Sequence, residues 1–199
     1  MSIEKLKNDI GGVDIYLLDQ ILKERYQQNE VILDAGCGAG RNLKWFYKHN
    51  FTIYGVDSLA SRIEEIKETY AEQQAHFSVQ NLDNLEFEEE FFDHVICSAV
   101  LHFAANTAHF KRMITELFRV LKPGGSLFIR MTSNFGIEDR VQLISDGVFY
   151  LPDTTNRFLL TNDLLTYLKE TFSFSYVEHL KTVNVNNLRC MSTLVLKKA

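Results

Sequence analysis

Two features of the chain combine residue types and spacing able to hold a nucleotide-like ligand. Asp34-Ala35-Gly36-Cys37-Gly38-Ala39-Gly40-Arg41-Asn42 directly follows the apolar run Val31-Ile32-Leu33 and precedes helical spacing over 42–48. Glycines at a strand-to-helix turn let the backbone bend tightly and approach a ligand where a β-carbon would collide. Asp57 closes the next apolar run about 20 residues on, where a carboxylate can accept hydrogen bonds from both hydroxyls of a ribose. A free 2′-hydroxyl is then implied. The spacing is Gly-x-Gly-x-Gly, and Arg41 stands where a dinucleotide fingerprint has its third glycine. That disfavours a nicotinamide cofactor. A phosphate-cradling loop is excluded, because no Gly-Lys-Ser/Thr follows the glycines.

The elements that must position these residues alternate along the chain. Apolar spacing predicts a helix over 13–27, a buried strand at 31–33 and a helix over 42–48. Strand 52–56, helix 59–73, strands 75–79 and 93–99, helix 107–121 and strand 126–131 follow. Such alternation requires right-handed crossovers and a parallel sheet covered on both faces. After a helix over 162–171 come two strand-like runs, 174–185 and 188–196. The short link at Asn186 and Asn187 leaves no room for a crossover helix, so these runs should pair antiparallel. The segment 133–160 has weak periodicity and follows a sheet strand at the edge where open α/β sheets bind ligands. It reads as a partial lid, with a surface insertion as the ordinary alternative.

The composition of the 199 residues, 46% apolar and 24% charged, suits one buried core, so a single domain over 1–199 is expected. Lys plus Arg number 21 against 26 Asp plus Glu, a net charge of -5, so the molecule as a whole repels a phosphate backbone. Cys37, Cys97 and Cys190 are odd in number and widely spaced, which fits neither a disulfide framework nor a zinc site and suits a reducing cytoplasm. Charges in the first nine residues break any export signal, and no apolar run reaches membrane-spanning length. The acidic run 86–90 reads as a solvated loop in preference to a cation site.

Residues 31–42, Asp57, Asp93-His-Val-Ile-Cys-Ser-Ala-Val-Leu-His-Phe103 and Leu121-Lys-Pro-Gly-Gly-Ser126 together resemble the motifs of class I S-adenosylmethionine-dependent methyltransferases. The likeness spans about 31–131. Within that superfamily the turn and Asn81-Leu-Asp-Asn-Leu85 are similar to the tellurite-resistance type and to small uncharacterised bacterial relatives. The resemblance implies an α/β, Rossmann-like three-layer sandwich whose seven-stranded, mostly parallel sheet has an antiparallel final strand. It also implies an N-terminal helical lid over 1–30 and S-adenosyl-L-methionine as cofactor.

Carried onto this chain, the resemblance gives Asp34 the loop and the cofactor's ammonium, the Gly36 carbonyl the same ammonium, and Gly38 a close approach, with Cys37 and Gly40 completing the turn. Asp57 would hold the ribose, with Ser58 or Leu59 against the adenine. Asn81, beside Leu82, stands where the family often has an acidic residue meeting the adenine amino group, and Asp83 competes for that role. Ser98 would offer its backbone carbonyl to the methionine portion.

Beyond the cofactor the chain is less explicit. His102 is a candidate base for an acceptor that must lose a proton, or a histidine packing the next helix. Tyr16, Phe149, Tyr150 and Arg157 are candidates for the acceptor pocket or for lid packing. Arg130 inside a strand must face the cleft or bond a carboxylate. Cys37 reads as a space-filler. No Asp/Asn-Pro-Pro-Tyr/Phe ends the fourth strand and no basic tract interleaves aromatics, so the expected acceptor is a small molecule, with neither nucleic acid nor membrane as partner. The expected activity is methyl transfer in the cytoplasm. A non-catalytic cofactor-binding module and a nicotinamide-dependent oxidoreductase remain the alternatives, and the number of subunits is open.

Overall fold

The computed structural model describes residues 2–199; of the expected single domain and N-terminal lid, residue 1 lies outside them. Two short helices, α1 (Ile3–Ile10) and α2 (Ile15–Leu22), precede β1 (Val31–Ala35), α3 (Lys44–Lys48), β2 (Thr52–Asp57), α4 (Ala60–Thr69) and β3 (Phe77–Val79). Then come β4 (Phe92–Ser98), α5 (Thr107–Val120) and β5 (Leu121–Ser133). The insert holds β6 (Gln142–Ser145), β7 (Val148–Tyr150) and β8 (Asn156–Phe158), and the chain closes with α6 (Asn162–Thr171), β9 (Phe174–Tyr176), β10 (Lys181–Val185) and β11 (Arg189–Lys198).

The main sheet runs β10-β11-β5-β4-β1-β2-β3, with β9 pairing the far end of β11. β1 to β5 are parallel, and β11 runs antiparallel to β5 from Cys190 opposite Ser133 to Lys197 opposite Ser126. This is the expected α/β sheet, mostly parallel and with an antiparallel final strand. Successive residues of the central strands serve opposite faces: Leu33, Val95, Cys97, Leu127 and Ile129 pack in one core with α5, while Ile32, Ile96 and Phe128 pack in another with Leu17, Phe46 and Ile63. Strands buried on both faces read as continuous apolar runs for this reason. α5 buries Phe110, Met113, Ile114, Leu117 and Phe118, the three-to-four spacing of one helical face.

Several sequence boundaries move. The helix expected over 13–27 stops at Leu22, because Glu24 adopts a left-handed φ of 56°. Tyr26, which extended the helical pattern, is instead buried edge-on against Phe46 and His94 at 4.9 and 4.8 Å. α1 escaped the apolar pattern because none of its residues is buried. The helix expected over 59–73 gives way at Thr69 to a 3-10 segment, Ala71–His76, which delays the third strand to Phe77. The run 174–185 is two strands, β9 and β10, both laid along β11. Between them Glu178 turns aside to accept from Lys23 and Lys181. The weakly periodic insert 133–160 carries its own antiparallel sheet β6-β7-β8. Glu86, Glu88, Glu89 and Glu90 are exposed, as a solvated loop requires. Among the described residues no helix is long and apolar enough to cross a membrane.

Candidate active site

The glycine turn is held to the neighbouring strand by its backbone. The amides of Gly36 and Cys37 both donate to the Val56 carbonyl at 2.8 and 2.9 Å, which closes the turn over the end of β2. Gly38 has a φ of +52°, and a β-carbon built on it meets nothing within 4 Å. The turn therefore presents bare backbone to open space, as a close-approaching ligand needs. At the same edge Asp57 accepts from the amides of Gly38 and Leu59, one at each oxygen and both at 3.0 Å. Two N–H groups thus orient the carboxylate and leave its remaining lone pairs to face outward.

Asp34 is 1% exposed, and neither carboxylate oxygen has a hydrogen-bond partner among the described residues. Burial, aided by the nearby charge of Asp57 and opposed by Arg41, pushes its pKa up to about 7. An unpaired buried carboxyl costs free energy unless something satisfies it.

A cavity of about 400 Å³ opens beside these groups, within the range of small-ligand sites. Of the residues singled out in the sequence, Gly36, Asp57, Ser58, Leu59, Asn81, Leu82 and Ser98 line it. Asn81 is at the wall, whereas Asp83 turns towards α5 and pairs with Arg112 at 3.4 Å. Asp34, Cys37, Gly38 and Gly40 are not in its wall: Asp34 is buried near the end of β1, and Gly40 is committed to packing, its carbonyl accepting from the Tyr70 hydroxyl at 2.7 Å. Cys37 is buried, and burial drives its thiol pKa upward, so it is an inert filler.

None of the expected acceptor residues Tyr16, Phe149, Tyr150 and Arg157 is among the described residues that line this cavity. Asp14, 5% exposed, caps α2 and accepts from the Ser98 hydroxyl at 3.1 Å, with Arg130 Nη1 at 3.3 Å. The Arg130 guanidinium lies 5.4 Å over the Tyr16 ring, so the strand arginine meets a carboxylate, one of its two expected options. His102 is buried on the 3-10 turn Leu101–Phe103 with Nδ1 unpartnered, and burial reinforced by Arg157, Arg189 and Arg130 lowers its pKa to about 4. Arg157 lies 5.0 Å over Phe103. Tyr150 is 43% exposed and does not reach the cavity, and Phe149 lines a separate one with Lys111 and Tyr167.

Gln80, Ala99, Val100, Phe103, His109 and Met113 also line this cavity and were not singled out in the sequence. Ala99, Val100 and Phe103 follow β4 at the ligand edge, a position the strand-end rule marks. Ala99 takes a left-handed φ of 64°, which no sequence pattern announces. His109 and Met113 are one helical turn apart on α5, and only packing decides that this face meets the cavity.

A family model described as a methyltransferase domain matches residues 33–129. The chain is 27% identical over 168 residues to the tRNA N(3)-cytidine methyltransferase METTL2 of Danio rerio, covering 76% of this chain and 46% of that protein. It is 31% identical over 104 residues to the mitochondrial ubiquinone biosynthesis O-methyltransferase of Mus musculus, covering 49% of this chain and 27% of that protein. This chain thus spans less than half the length of either curated relative. A solved SAM-dependent methyltransferase of Methanosarcina mazei superimposes with a TM-score of 0.71 at 22% identity, covering 89% of this chain and 96% of that one.

Proposed function

From the premise that residues 33–129 are a methyltransferase domain on the class I fold, we propose that this chain transfers a methyl group from S-adenosylmethionine to a small-molecule acceptor. The observation that carries the reading is the buried Asp34 carboxylate, unpartnered among the described residues, two residues before the Gly36 wall of the cavity, with the bare Gly38 backbone anchored to Asp57. A ligand that brings a cation to Asp34 and a diol to Asp57 satisfies both, and the cofactor's ammonium and ribose are such groups. The site therefore fits the group the family uses.

In this reading Asp34 and the Gly36 carbonyl take the ammonium, and Asp57 takes the ribose. Ser58, Leu59, Asn81 and Leu82 flank the adenine, and Ser98 meets the methionine portion through its carbonyl. When bound, S-adenosylmethionine supplies an electrophilic methyl on a sulfonium. What the protein adds is orientation of the acceptor behind that carbon, worth about 7 to 11 kcal/mol in well-aligned cases. Segments 2–30 and 133–160 act as lids. Arg41 Nη1 donates to the Gly12 carbonyl at 2.9 Å, and Asp14 joins the first of them to Ser98. Arg157 on Phe103 brings the second to the cavity rim.

The net charge of -5 supports a small acceptor over a polynucleotide, and three buried free thiols support a reducing cytoplasm. The relative that methylates tRNA cytidine favours a second reading, a nucleic-acid acceptor. Transfer of labelled methyl to a panel of small molecules and to bulk tRNA decides between them. Label in tRNA alone overturns the first reading. S-adenosylhomocysteine should raise the melting temperature, and an unchanged melt at millimolar ligand would remove the cofactor assignment altogether.

A further inference from the structure

Two arginines rest on aromatic rings near the cavity, Arg130 over Tyr16 and Arg157 over Phe103, and of these four side chains Phe103 is in the cavity wall. Arg130 lies opposite Ser98 in the β4–β5 register, so its side chain starts from the strand edge that borders the cavity. Its Nη1 reaches Asp14 at 3.3 Å, its Nε is sealed with no partner among the described residues, and its guanidinium lies over Tyr16. Arg157 lies over Phe103, itself a cavity wall, and donates only to the neighbouring Asn156 carbonyl at 2.7 Å. Arg189, at the start of β11, is anchored by Asp153 in the loop that leads to Arg157.

Among the described residues Arg157 has no carboxylate partner. Asp14 is shared by Arg130, by the Ser98 hydroxyl and, at 3.9 Å, by Arg41. With Arg41 included, four guanidinium charges are therefore set against two carboxylates, Asp14 and Asp153. His102, whose pKa burial and the charges of Arg157, Arg189 and Arg130 lower to about 4, is neutral near pH 7 and neither cancels nor adds to the excess. A guanidinium whose face rests on an aromatic ring keeps its in-plane N–H groups for a planar anion, and a carboxylate matches that fork.

Resting on the methyltransferase reading above, we infer that the acceptor is an organic acid bound as its carboxylate, gripped by Arg157 with Arg130 and Arg189 supplying the positive field. Phe103 and Tyr16 flank the apolar part of such an acid. Arg157 is then the residue that selects acids over neutral molecules of the same shape, while the cofactor groups on the far side of Ser98 are untouched by the choice.

The test uses the full chain saturated with S-adenosylhomocysteine, titrated calorimetrically with benzoate and with its neutral, equally flat counterpart benzamide. Benzoate should bind at least about tenfold more tightly, and the advantage should shrink as salt rises to about 0.5 M. Arg157→Gln should abolish the preference and Arg157→Lys restore part of it, with S-adenosylhomocysteine affinity unchanged in both. Equal binding of the two probes, binding of neither, or a preference that survives Arg157→Gln overturns the inference while leaving the cofactor reading intact. Failure of S-adenosylhomocysteine to bind the unaltered chain overturns both.

Discussion

The Asp57 carboxylate accepts the Gly38 amide at 3.0 Å, so the end of β2 and the turn after β1 are one rigid unit. The same carboxylate accepts Leu59 N, which starts α4 from the cavity edge. Replacing Asp57 by Ala removes both anchors together with the acceptor for the ribose. S-adenosylhomocysteine affinity should fall by about 2 to 4 kcal/mol, measured by calorimetry. A loss under about threefold would detach Asp57 from the cofactor.

Asp34 couples cofactor binding to protons. With its pKa at about 7, the buried carboxyl is half protonated at neutral pH, and a cationic ammonium beside it favours the ionised form. Binding should release up to about half a proton at pH 7, read from calorimetry in buffers of different ionisation enthalpy. Proton uptake would contradict the placement. Without ligand the sign for stability is negative with rising pH. Below about pH 4 both folded and unfolded chains hold the proton, while from about 4 to 7 only the folded chain keeps it. Each unit upward therefore costs up to about 1.4 kcal/mol, and Asp34→Asn should flatten that slope.

His102 works in the opposite direction. Its folded pKa of about 4 lies below the ordinary 6.5, so between those values only the unfolded chain takes the proton. Stability should drop as pH falls through that window, by an amount on the order of 3 kcal/mol in all. Chemical denaturation of His102→Gln at pH 4.5 and 7.5 checks this, since the variant should lose less on acidification than the parent.

Two glycines separate folding from binding. A β-carbon at Gly36 would meet Val100 Cγ2 at 2.4 Å with φ at +84°, so Gly36→Ala should destabilise by about 2 to 4 kcal/mol. At Gly38 the added methyl meets no protein atom, and Gly38→Ala should cost about 1 to 2 kcal/mol of stability yet block the cofactor. Unimpaired S-adenosylhomocysteine binding by Gly38→Ala would show that no ligand approaches there.

The opposite edge of the sheet supplies a control. His94 joins Ser126 at 2.6 Å to Glu30 at 2.8 Å, tying the approach to β1 onto β4 and β5. His94→Ala should destabilise by about 2 to 3 kcal/mol while S-adenosylhomocysteine affinity stays within about twofold. A large affinity loss would mean that this edge is coupled to the cavity.

The main sheet and the glycine turn with Asp57 at its edge were legible because they are local. Val31-Ile32-Leu33 followed by spaced glycines has few ways to fold other than strand, turn and helix, and Asp57 at the next strand end follows from the same alternation. Asn81, Leu82 and Ser98, which only the family resemblance singled out, line the cavity. The N-terminal helix Ile3–Ile10 and the small sheet β6-β7-β8 were not, since α1 buries nothing and Gln142–Ser145 is exposed throughout, leaving no apolar period to read.

What the amino-acid order determined by itself is the parallel sheet, the tight glycine turn after β1 and the carboxylate beside it, all products of backbone sterics and short-range periodicity. Tertiary structure alone decided that Asp14, Arg130 and Tyr16 converge on Ser98, and that Arg157 comes to rest on Phe103. It also left Asp34 without a partner among the described residues. The physical reason is that pairing of charges and desolvation of a carboxyl depend on which distant elements pack together, and no spacing along the chain encodes that distance.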